Sequence, residues 1–243
     1  RIERDFYRHL ADVFVETLRL SGMPRRELQQ RVETTGVVHL MKQPPWHGRD
    51  LICLLGHCGN WEWLSPGFTT EAAIAHNLCV VYHPLSDPLA DDFVLNMRQR
   101  FGAQLMPMKA VAPAVLGGRL PSPCILALLA DQTPAPEKAY WTSFLNQPTP
   151  FFRGGAVLAR RRNLPITFAS SRRLGRGHYE TRIEPLVEAP ADWTEDAILE
   201  AYVRRLEAEI RRQPHAWLWS HRRWKHTPPP AVAERLASAE GKS

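Results

Sequence analysis

The most informative stretch of the chain is residues 51–63, which read LICLLGHCGNWEW. The apolar run Leu51–Leu55 predicts a buried strand, and a helix is expected to follow it. His57 and Glu62 are five residues apart, and on one continuous helix their side chains would point about 140° apart. We therefore expect His57 to precede the helix, with a Gly-Asn turn and cap between it and Glu62 in the first helical turn.

This arrangement indicates a base and its orienting carboxylate. The N-terminal end of a helix favours an anion, so Glu62 is expected to be charged. If Glu62 accepts a hydrogen bond from one imidazole nitrogen of His57, the other nitrogen is free to take a proton from an alcohol. The stretch thus predicts His57 and Glu62 as a catalytic pair.

Further apolar runs alternate with amphipathic segments along the chain. Strands are predicted at residues 78–82, 104–108, 124–129, 165–170 and 179–184. Helices are predicted at residues 4–20, 25–33, 61–76 (kinked near Pro66), 89–101, 111–117, 154–162 and 195–212. Residues 133–150 are predicted to be a proline-rich loop. The domain is expected to begin with an N-terminal helix within residues 1–20 and to end with a flexible tail at residues 228–243.

The alternation of strands and helices predicts an α/β fold with a mixed, largely parallel central sheet flanked by helices. The length of 243 residues suits one core, and no internal repeat or change of composition marks a boundary, so residues 1–243 are predicted to be a single domain. Reactive side chains gather at the carboxyl ends of parallel strands, and both His57 and Asp131 follow predicted strands.

The composition is that of a folded protein, with 44% hydrophobic and 23% charged residues. The formal net charge of +6 is most simply a solvated, arginine-rich surface. Attraction to anionic lipid or phosphate groups is a second interpretation, and attraction to nucleic acid is a third. No nucleic-acid-binding signature occurs, so no nucleic-acid partner is predicted.

The cysteines and the apolar segments indicate where the protein is expected to act. Three of the four cysteines lie in or beside apolar strand-like runs, which predicts free, buried thiols in a reducing compartment. The spacing of the cysteines around His57 fits no common zinc pattern, so no metal site is predicted. No run of the chain reaches the ~20 apolar residues of a membrane span. The chain begins with Arg1, and we expect a fragment or a processed form.

Four ordered blocks carry a resemblance to a known family. The string HCGNWE at residues 57–62 resembles the signature of the lipid A biosynthesis (lauroyl/myristoyl) acyltransferase family, which is glycerolipid-acyltransferase-like. Asp131-Gln132, Arg153-Gly154 and the Trp- and Arg-rich residues 213–225 resemble later blocks of the same family. The resemblance covers roughly residues 20–225.

The resemblance implies an acyltransferase-like fold and an O-acyltransferase that needs no cofactor. The implied donor is an acyl carrier protein thioester, or acyl-CoA as co-substrate, and the implied acceptor is a hydroxyl of a lipid A precursor, a phosphorylated glucosamine lipid. Related enzymes acylate phosphatidylinositol mannosides or aryl-polyene lipids. The implied location is the cytoplasmic face of the bacterial inner membrane, with a membrane anchor upstream of Arg1 that the given chain lacks.

The resemblance also suggests substrate-binding residues. Asn60, Asp131, Arg153 and Gly154 are the candidates. Backbone N–H groups near Gly59-Asn60, or near the strand ends, are expected to stabilise an oxyanion. The Arg153 guanidinium suits phosphate oxygens, and Gly154 at a helix start exposes backbone N–H groups to an anion. The alternative is a structural ion pair between Asp131 and Arg153.

Two other positions qualify the resemblance. His83 stands where members of the family usually have Arg, which leaves a weak phosphate contact or a simple surface turn as its interpretations. In the terminal block, Trp217 and Trp219 are expected to pack as core and His221 to be structural. Arg222 and Arg223 are expected at a surface that approaches acidic lipid or the acyl donor.

Two rival hypotheses come from other classes. A thioesterase or lipid hydrolase would use the same His57–Glu62 pair to activate water. A non-catalytic lipid- or nucleic-acid-binding domain would use only the basic surface.

Overall fold

A seven-stranded sheet organises the protein, and the computed structural model describes residues 1–69 and 75–240. The strand order is β1-β9-β8-β2-β5-β3-β4, with β6 and β7 forming a separate hairpin. The strands are β1 Val32–Thr35, β2 Leu51–Leu55, β3 Asn77–Tyr82, β4 Gln104–Pro107, β5 Cys124–Leu129, β6 Tyr140–Phe144, β7 Gln147–Phe151, β8 Ile166–Gly175 and β9 His178–Val187. Within the large sheet, β8 and β9 pair antiparallel and the other neighbours pair parallel, which confirms the predicted mixed, largely parallel sheet.

Helices cover both faces of this sheet. They are α1 Ile2–Leu20, α2 Arg25–Arg31, α3 Val37–Leu40, α4 Trp61–Thr69, α5 Pro88–Gln99, α6 Met108–Leu116, α7 Gly154–Arg162, α8 Glu195–Arg212 and α9 Pro230–Glu240. Helices α7 and α8 begin and end at the predicted residues. Helix α4 contains Pro66 and ends at Thr69, and the predicted continuation over residues 70–74 lies outside the described residues.

The central strand β2 shows why its sequence is apolar throughout. Ile52 and Leu54 belong to the core cluster that includes α7 and α8, whereas Cys53 and Leu55 belong to the cluster that includes α3 and α4. A central parallel strand is buried on both faces, so alternate side chains need apolar partners on both sides. Because β2 is held on both faces, the position of the residues that follow its end at Leu55 is fixed relative to the sheet.

Two predictions at the edges of the fold are wrong. The predicted loop 133–150 contains the β6–β7 hairpin, whose two-residue turn holds Leu145 and Asn146 at positive φ. The predicted flexible tail contains α9, which is attached where Arg235 donates to the carbonyl of Trp141 and where Leu236 is buried. In both places tertiary contacts, which no local pattern announces, supply the order.

Two further properties concern the whole described chain. All four cysteines are free and buried, as predicted. Within residues 1–69 and 75–240, no helix combines the length and the apolar character needed to cross a membrane.

Candidate active site

His57 and Asp131 meet at the carboxyl edge of the sheet because their strands are parallel neighbours. Leu55 of β2 pairs with Leu129 of β5, and each polar residue lies two positions beyond its paired leucine. The His57 Nδ1 atom lies 2.6 Å from Asp131 Oδ1, and the backbone N–H of His57 donates to Oδ2 at 2.8 Å. With Nδ1–H donating to the carboxylate, Nε2 is left as the proton acceptor.

Asp131 is held as a buried anion. It is 3% exposed, and a third donor, the Trp217 indole N–H, reaches its Oδ2 at 2.9 Å. Burial alone raises the pKa of Asp131, but the charge of His57 and the hydrogen bonds from His57 and Trp217 outweigh burial, so the pKa lies below its usual range. The carboxylate is therefore equipped to stabilise an imidazolium on His57.

Glu62 has a different partner from the one predicted. It accepts two hydrogen bonds from Arg98 of α5, Nε to Oε2 at 2.9 Å and Nη2 to Oε1 at 2.6 Å. The prediction that Glu62 orients His57 is thus corrected: Asp131 takes that place, because the strand register brings it to Nδ1, while Glu62 in the first turn of α4 faces α5. Burial alone lowers the pKa of Arg98, but the hydrogen bonds and charge of Glu62 outweigh burial and raise it.

The turn between His57 and α4 is fixed by buried hydrogen bonds. Asn60 caps the helix as predicted, with its Oδ1 accepting from the Trp63 N–H at 3.1 Å. The Asn60 side chain is fully buried, and the backbone N–H of Asn60 donates to Ser171 Oγ. The backbone N–H of Gly59 donates to the carbonyl of Ala216. The Asn60 side chain and these two backbone N–H groups therefore already have hydrogen-bond partners within the protein.

A cavity of about 530 Å³ opens beside this edge of the sheet. Its walls are largely apolar and come from β2, β3, β5 and helices α6, α7 and α8; they include Leu54, Val81, Val111, Leu128, Leu158 and Leu199. His57, Glu62 and Arg98 also line it. The arrangement places a proton acceptor and an ion pair against a space that suits an elongated apolar ligand.

The other predicted binding residues divide between the cavity and its surroundings. Gly154 lines the cavity at the start of α7. Arg153 instead pairs with Asp196 at 2.5 Å and with Glu195 at 3.6 Å, at the start of α8. The alternative prediction, an ion pair between Arg153 and Asp131, is wrong, because Arg153 pairs with the two acids of α8.

His83 and the terminal block complete the surroundings of the site. His83 lines the cavity, and its Nδ1 lies 2.9 Å from the carbonyl of Pro84. Trp217 is buried as predicted, whereas Trp219 is 38% exposed. His221 contacts Thr133 through Nε2 at 3.2 Å, which is a structural contact.

Arg223 corrects the prediction of a surface role. Only 1% of it is exposed, and its guanidinium lies 4.4 Å from the centre of the Phe151 ring and donates to the carbonyl of Pro150. Arg222, the preceding residue, is exposed as predicted.

Sequence reasoning missed the partners Arg98 and Trp217. Both come from distant elements. The signal that the sequence does contain is that His57 and Asp131 each follow a predicted strand, and the structure makes those strands neighbours.

A histidine held by a buried carboxylate at the end of parallel strands, beside an apolar cavity, is an arrangement typical of an enzyme active site. The family model described as bacterial lipid A biosynthesis acyltransferase matches residues 1–226, and the chain belongs to this family. The protein is therefore an acyltransferase. Comparison with curated proteins gives no significant match.

Proposed function

We propose that the protein moves a fatty acyl chain from an acyl carrier protein thioester to a hydroxyl of a bacterial envelope lipid, without a cofactor. The observation that carries this proposal is the His57–Asp131 pair on the apolar cavity. Burial of an acyl chain contributes about 0.8 kcal/mol per methylene, so an apolar cavity of this kind selects for a long chain.

In the proposed mechanism His57 is the general base. Its Nε2 takes the proton of the acceptor hydroxyl, and the oxygen attacks the thioester carbonyl to give a tetrahedral intermediate. Collapse breaks the carbon–sulfur bond, and the imidazolium returns its proton to the leaving thiolate. Asp131 fixes the tautomer of His57 and stabilises the imidazolium. No serine or cysteine nucleophile is required, because the acceptor oxygen attacks the thioester directly.

Glu62 acts through Arg98 in this proposal. A bidentate ion pair fixes the guanidinium at the cavity wall, where it can meet negative charge on a phosphate or a developing oxyanion. Together with His83, Arg98 favours a phosphorylated acceptor, for which a lipid A precursor is the family's implied choice. Phosphatidylinositol mannosides and aryl-polyene lipids are the alternative acceptors.

The proposed donor is acidic, which suits the charge of this chain. Its formal net charge is +6, and the exposed Arg222 and Lys225 follow the segment whose Leu218 N–H donates to the carbonyl of His57. Complementary charge accelerates encounter with an acidic partner and fixes its orientation. We propose that acyl carrier protein docks on this segment.

The proposed location is the cytoplasmic surface of the inner membrane. The outer side of α1 exposes Tyr7, Phe14 and Leu18 at positions i, i+7 and i+11, with Arg4 and Arg8 beside them. An apolar stripe flanked by arginines is typical of a helix that lies in the interface of an anionic bilayer.

Product analysis tests the proposed reaction. The purified protein is incubated with acyl-acyl carrier protein and a phosphorylated glucosamine lipid, and the products are identified by mass spectrometry. We expect the acylated lipid, loss of turnover in His57→Ala, and retention of turnover in the exposed control His178→Ala. Free fatty acid as the sole product would indicate the hydrolase, and activity in His57→Ala would refute the mechanism.

A further inference from the structure

Helix α1 is attached by buried polar contacts to residues 57–60, the turn between β2 and α4 that we call the catalytic turn. His9 Nε2 lies 3.1 Å from the carbonyl oxygen of Gly59, and the Asn60 side-chain N–H donates to Glu16 Oε2 at 2.8 Å. The Trp63 indole N–H donates to the backbone carbonyl of Glu16 at 3.1 Å. Residues 44 to 50 positions upstream thus hold the segment that follows His57.

Glu16 is the centre of this attachment. It is a buried carboxylate whose Oε2 accepts from two neutral donors, Asn60 Nδ2 and, at 2.7 Å, the Tyr179 hydroxyl. Burying a carboxylate is costly unless its hydrogen bonds compensate. An apolar side chain would pack here at a lower desolvation cost, so the two donors are the reason for an acid at this position.

The turn has no freedom on its opposite side either. A Cβ atom on Gly59 would lie 2.0 Å from the backbone oxygen of Ser171, and the Ser171 hydroxyl accepts from the Asn60 N–H. The turn is therefore held between β8 and α1. Without Glu16, the buried Asn60 amide loses its acceptor, and the cost of leaving a buried donor unpaired favours a rearranged turn.

We infer that Glu16 is a positioning residue, which fixes the catalytic turn through Asn60 and thereby sets the orientation of His57. This inference rests on the proposed function, in which His57 is the general base. Asn60, which the sequence suggested as a substrate contact, is the link by which α1 acts on the site.

Three substitutions separate positioning from plain stability. Glu16→Leu removes both side-chain hydrogen bonds, Glu16→Gln keeps an oxygen for both donors, and Tyr179→Phe removes a bond to the same oxygen without touching the turn. We expect Glu16→Leu to lower kcat at least tenfold with KM little changed. Glu16→Gln should restore most of kcat, and Tyr179→Phe should lower thermal stability while keeping kcat within about twofold.

If Glu16→Leu fails to fold, the hydrogen bond between Glu16 and Asn60 can be tested by exchanging which of the two side chains donates and which accepts. Asn60→Asp keeps the helix cap but removes the donor, so kcat should fall at least tenfold. Adding Glu16→Gln supplies a donor from the other side, and the double variant should recover kcat. A double variant no better than Asn60→Asp, or a Tyr179→Phe loss equal to that of Glu16→Leu, would overturn the inference.

Amide hydrogen exchange gives a readout that needs no substrate. Glu16→Leu, or Asn60→Asp in its place, should speed exchange at residues 57–60, and Tyr179→Phe should not. Exchange that responds in this way in a protein without acyl transfer would refute the proposed function and support the positioning role. Unchanged exchange in the turn would refute the positioning role whatever the activity.

Discussion

His57 and Asp131 are joined by two hydrogen bonds, one to the imidazole and one to the backbone N–H of the same residue. The Nδ1–Oδ1 distance is 2.6 Å and the N–Oδ2 distance is 2.8 Å. Because both carboxylate oxygens are engaged, the carboxylate fixes the ring and the chain that carries it. Asp131, two residues beyond the end of β5, thus helps to orient the base that the neighbouring strand β2 delivers.

Removing the charge of Asp131 should abolish most of the activity. Asp131→Asn keeps the shape but cannot stabilise the imidazolium or enforce the tautomer, so we expect kcat to fall on the order of 10³- to 10⁴-fold. Steady-state kinetics with the acylated donor measure the loss, and Asp196→Asn, which alters an ion pair outside the cavity, is the control. A loss below tenfold would contradict the role assigned to Asp131.

The Trp217 indole should tune the pH profile. Its hydrogen bond contributes to the low pKa of Asp131, so Trp217→Phe should raise that pKa. A more basic carboxylate stabilises the imidazolium form of the base more strongly, so the acidic limb of kcat should move to higher pH. Trp219→Phe, which removes an indole that donates to the carbonyl of Pro214, should leave the limb in place. An acidic limb that stays fixed in Trp217→Phe would show that the hydrogen bond between the indole and Asp131 has no effect on the base.

The Glu62–Arg98 pair should be energetically coupled. Both side chains are largely buried, so Glu62→Gln or Arg98→Met should each destabilise the protein by about 1–3 kcal/mol. The double variant should lose less than the sum, because neither partner is then left alone. Urea denaturation of the four proteins gives the coupling free energy.

The surface pair Arg19–Glu27 provides the comparison for that cycle. Arg19 is 56% exposed, so solvent screens this pair and its coupling should be weaker than that of Glu62 and Arg98. Equal coupling in the two pairs would mean that the cavity pair is no better than a solvated one.

Gly59 should tolerate no side chain. Its φ of +61° disfavours L-residues, and a Cβ atom would lie 2.0 Å from the backbone oxygen of Ser171, which cannot swing aside. We expect Gly59→Ala to lower the free energy of unfolding by about 3 kcal/mol or more. Gly48, at φ +66° with nothing within 4 Å of its Cβ position, is the matched control, and Gly48→Ala should cost about 1–2 kcal/mol. Equal losses would contradict the close approach to β8.

His9 should make stability depend on pH. Burial is the largest cause that lowers its pKa from 6.5 to about 4, and Arg173, Asp12 and His215 face it. Between pH 6.5 and about 4 the unfolded chain therefore binds more protons than the folded chain. The contribution of neutral His9 to the free energy of unfolding is complete above pH 6.5 and is lost as the pH falls to about 4. The loss amounts to about 3 kcal/mol.

Denaturation curves measured between pH 7 and 4 check this contribution. His9→Gln keeps a donor for the Gly59 carbonyl but does not titrate, so its stability should fall less steeply with acid than that of the wild type. His178→Gln, at an exposed position, should follow the wild type. Parallel curves for His9→Gln and the wild type would exclude His9 as the source.

The sequence predicted elements well where one local period dominates. Helix α8 and strand β2 appear as expected, since an amphipathic helix and a fully buried strand have strong patterns. The β6–β7 hairpin was missed because its turn places Leu145, a residue that usually avoids positive φ, at φ 50°. Its N–H donates to Glu207 of α8, a tertiary contact that a local pattern does not contain.

The site was predicted in part for a similar reason. His57 and Asp131 were both expected at strand ends, since parallel strands bring their carboxyl ends to one edge. The partner of His57 depended on strand register, which sets Leu55 opposite Leu129 and so favours Asp131 over the nearer Glu62. Proximity in sequence suggested the wrong carboxylate, and three-dimensional adjacency supplied the right one.

The segment after α8 forms the last wall of the catalytic turn. The Leu218 N–H donates to the carbonyl of His57, Cys58 bridges to Trp217, and the Trp217 indole reaches Asp131. A ribosome must therefore synthesise about 160 residues beyond His57 before the carboxylate gains all its donors. The nascent chain carries the proposed base early, but the proposed catalytic centre is complete only after the sheet and α8 have been made.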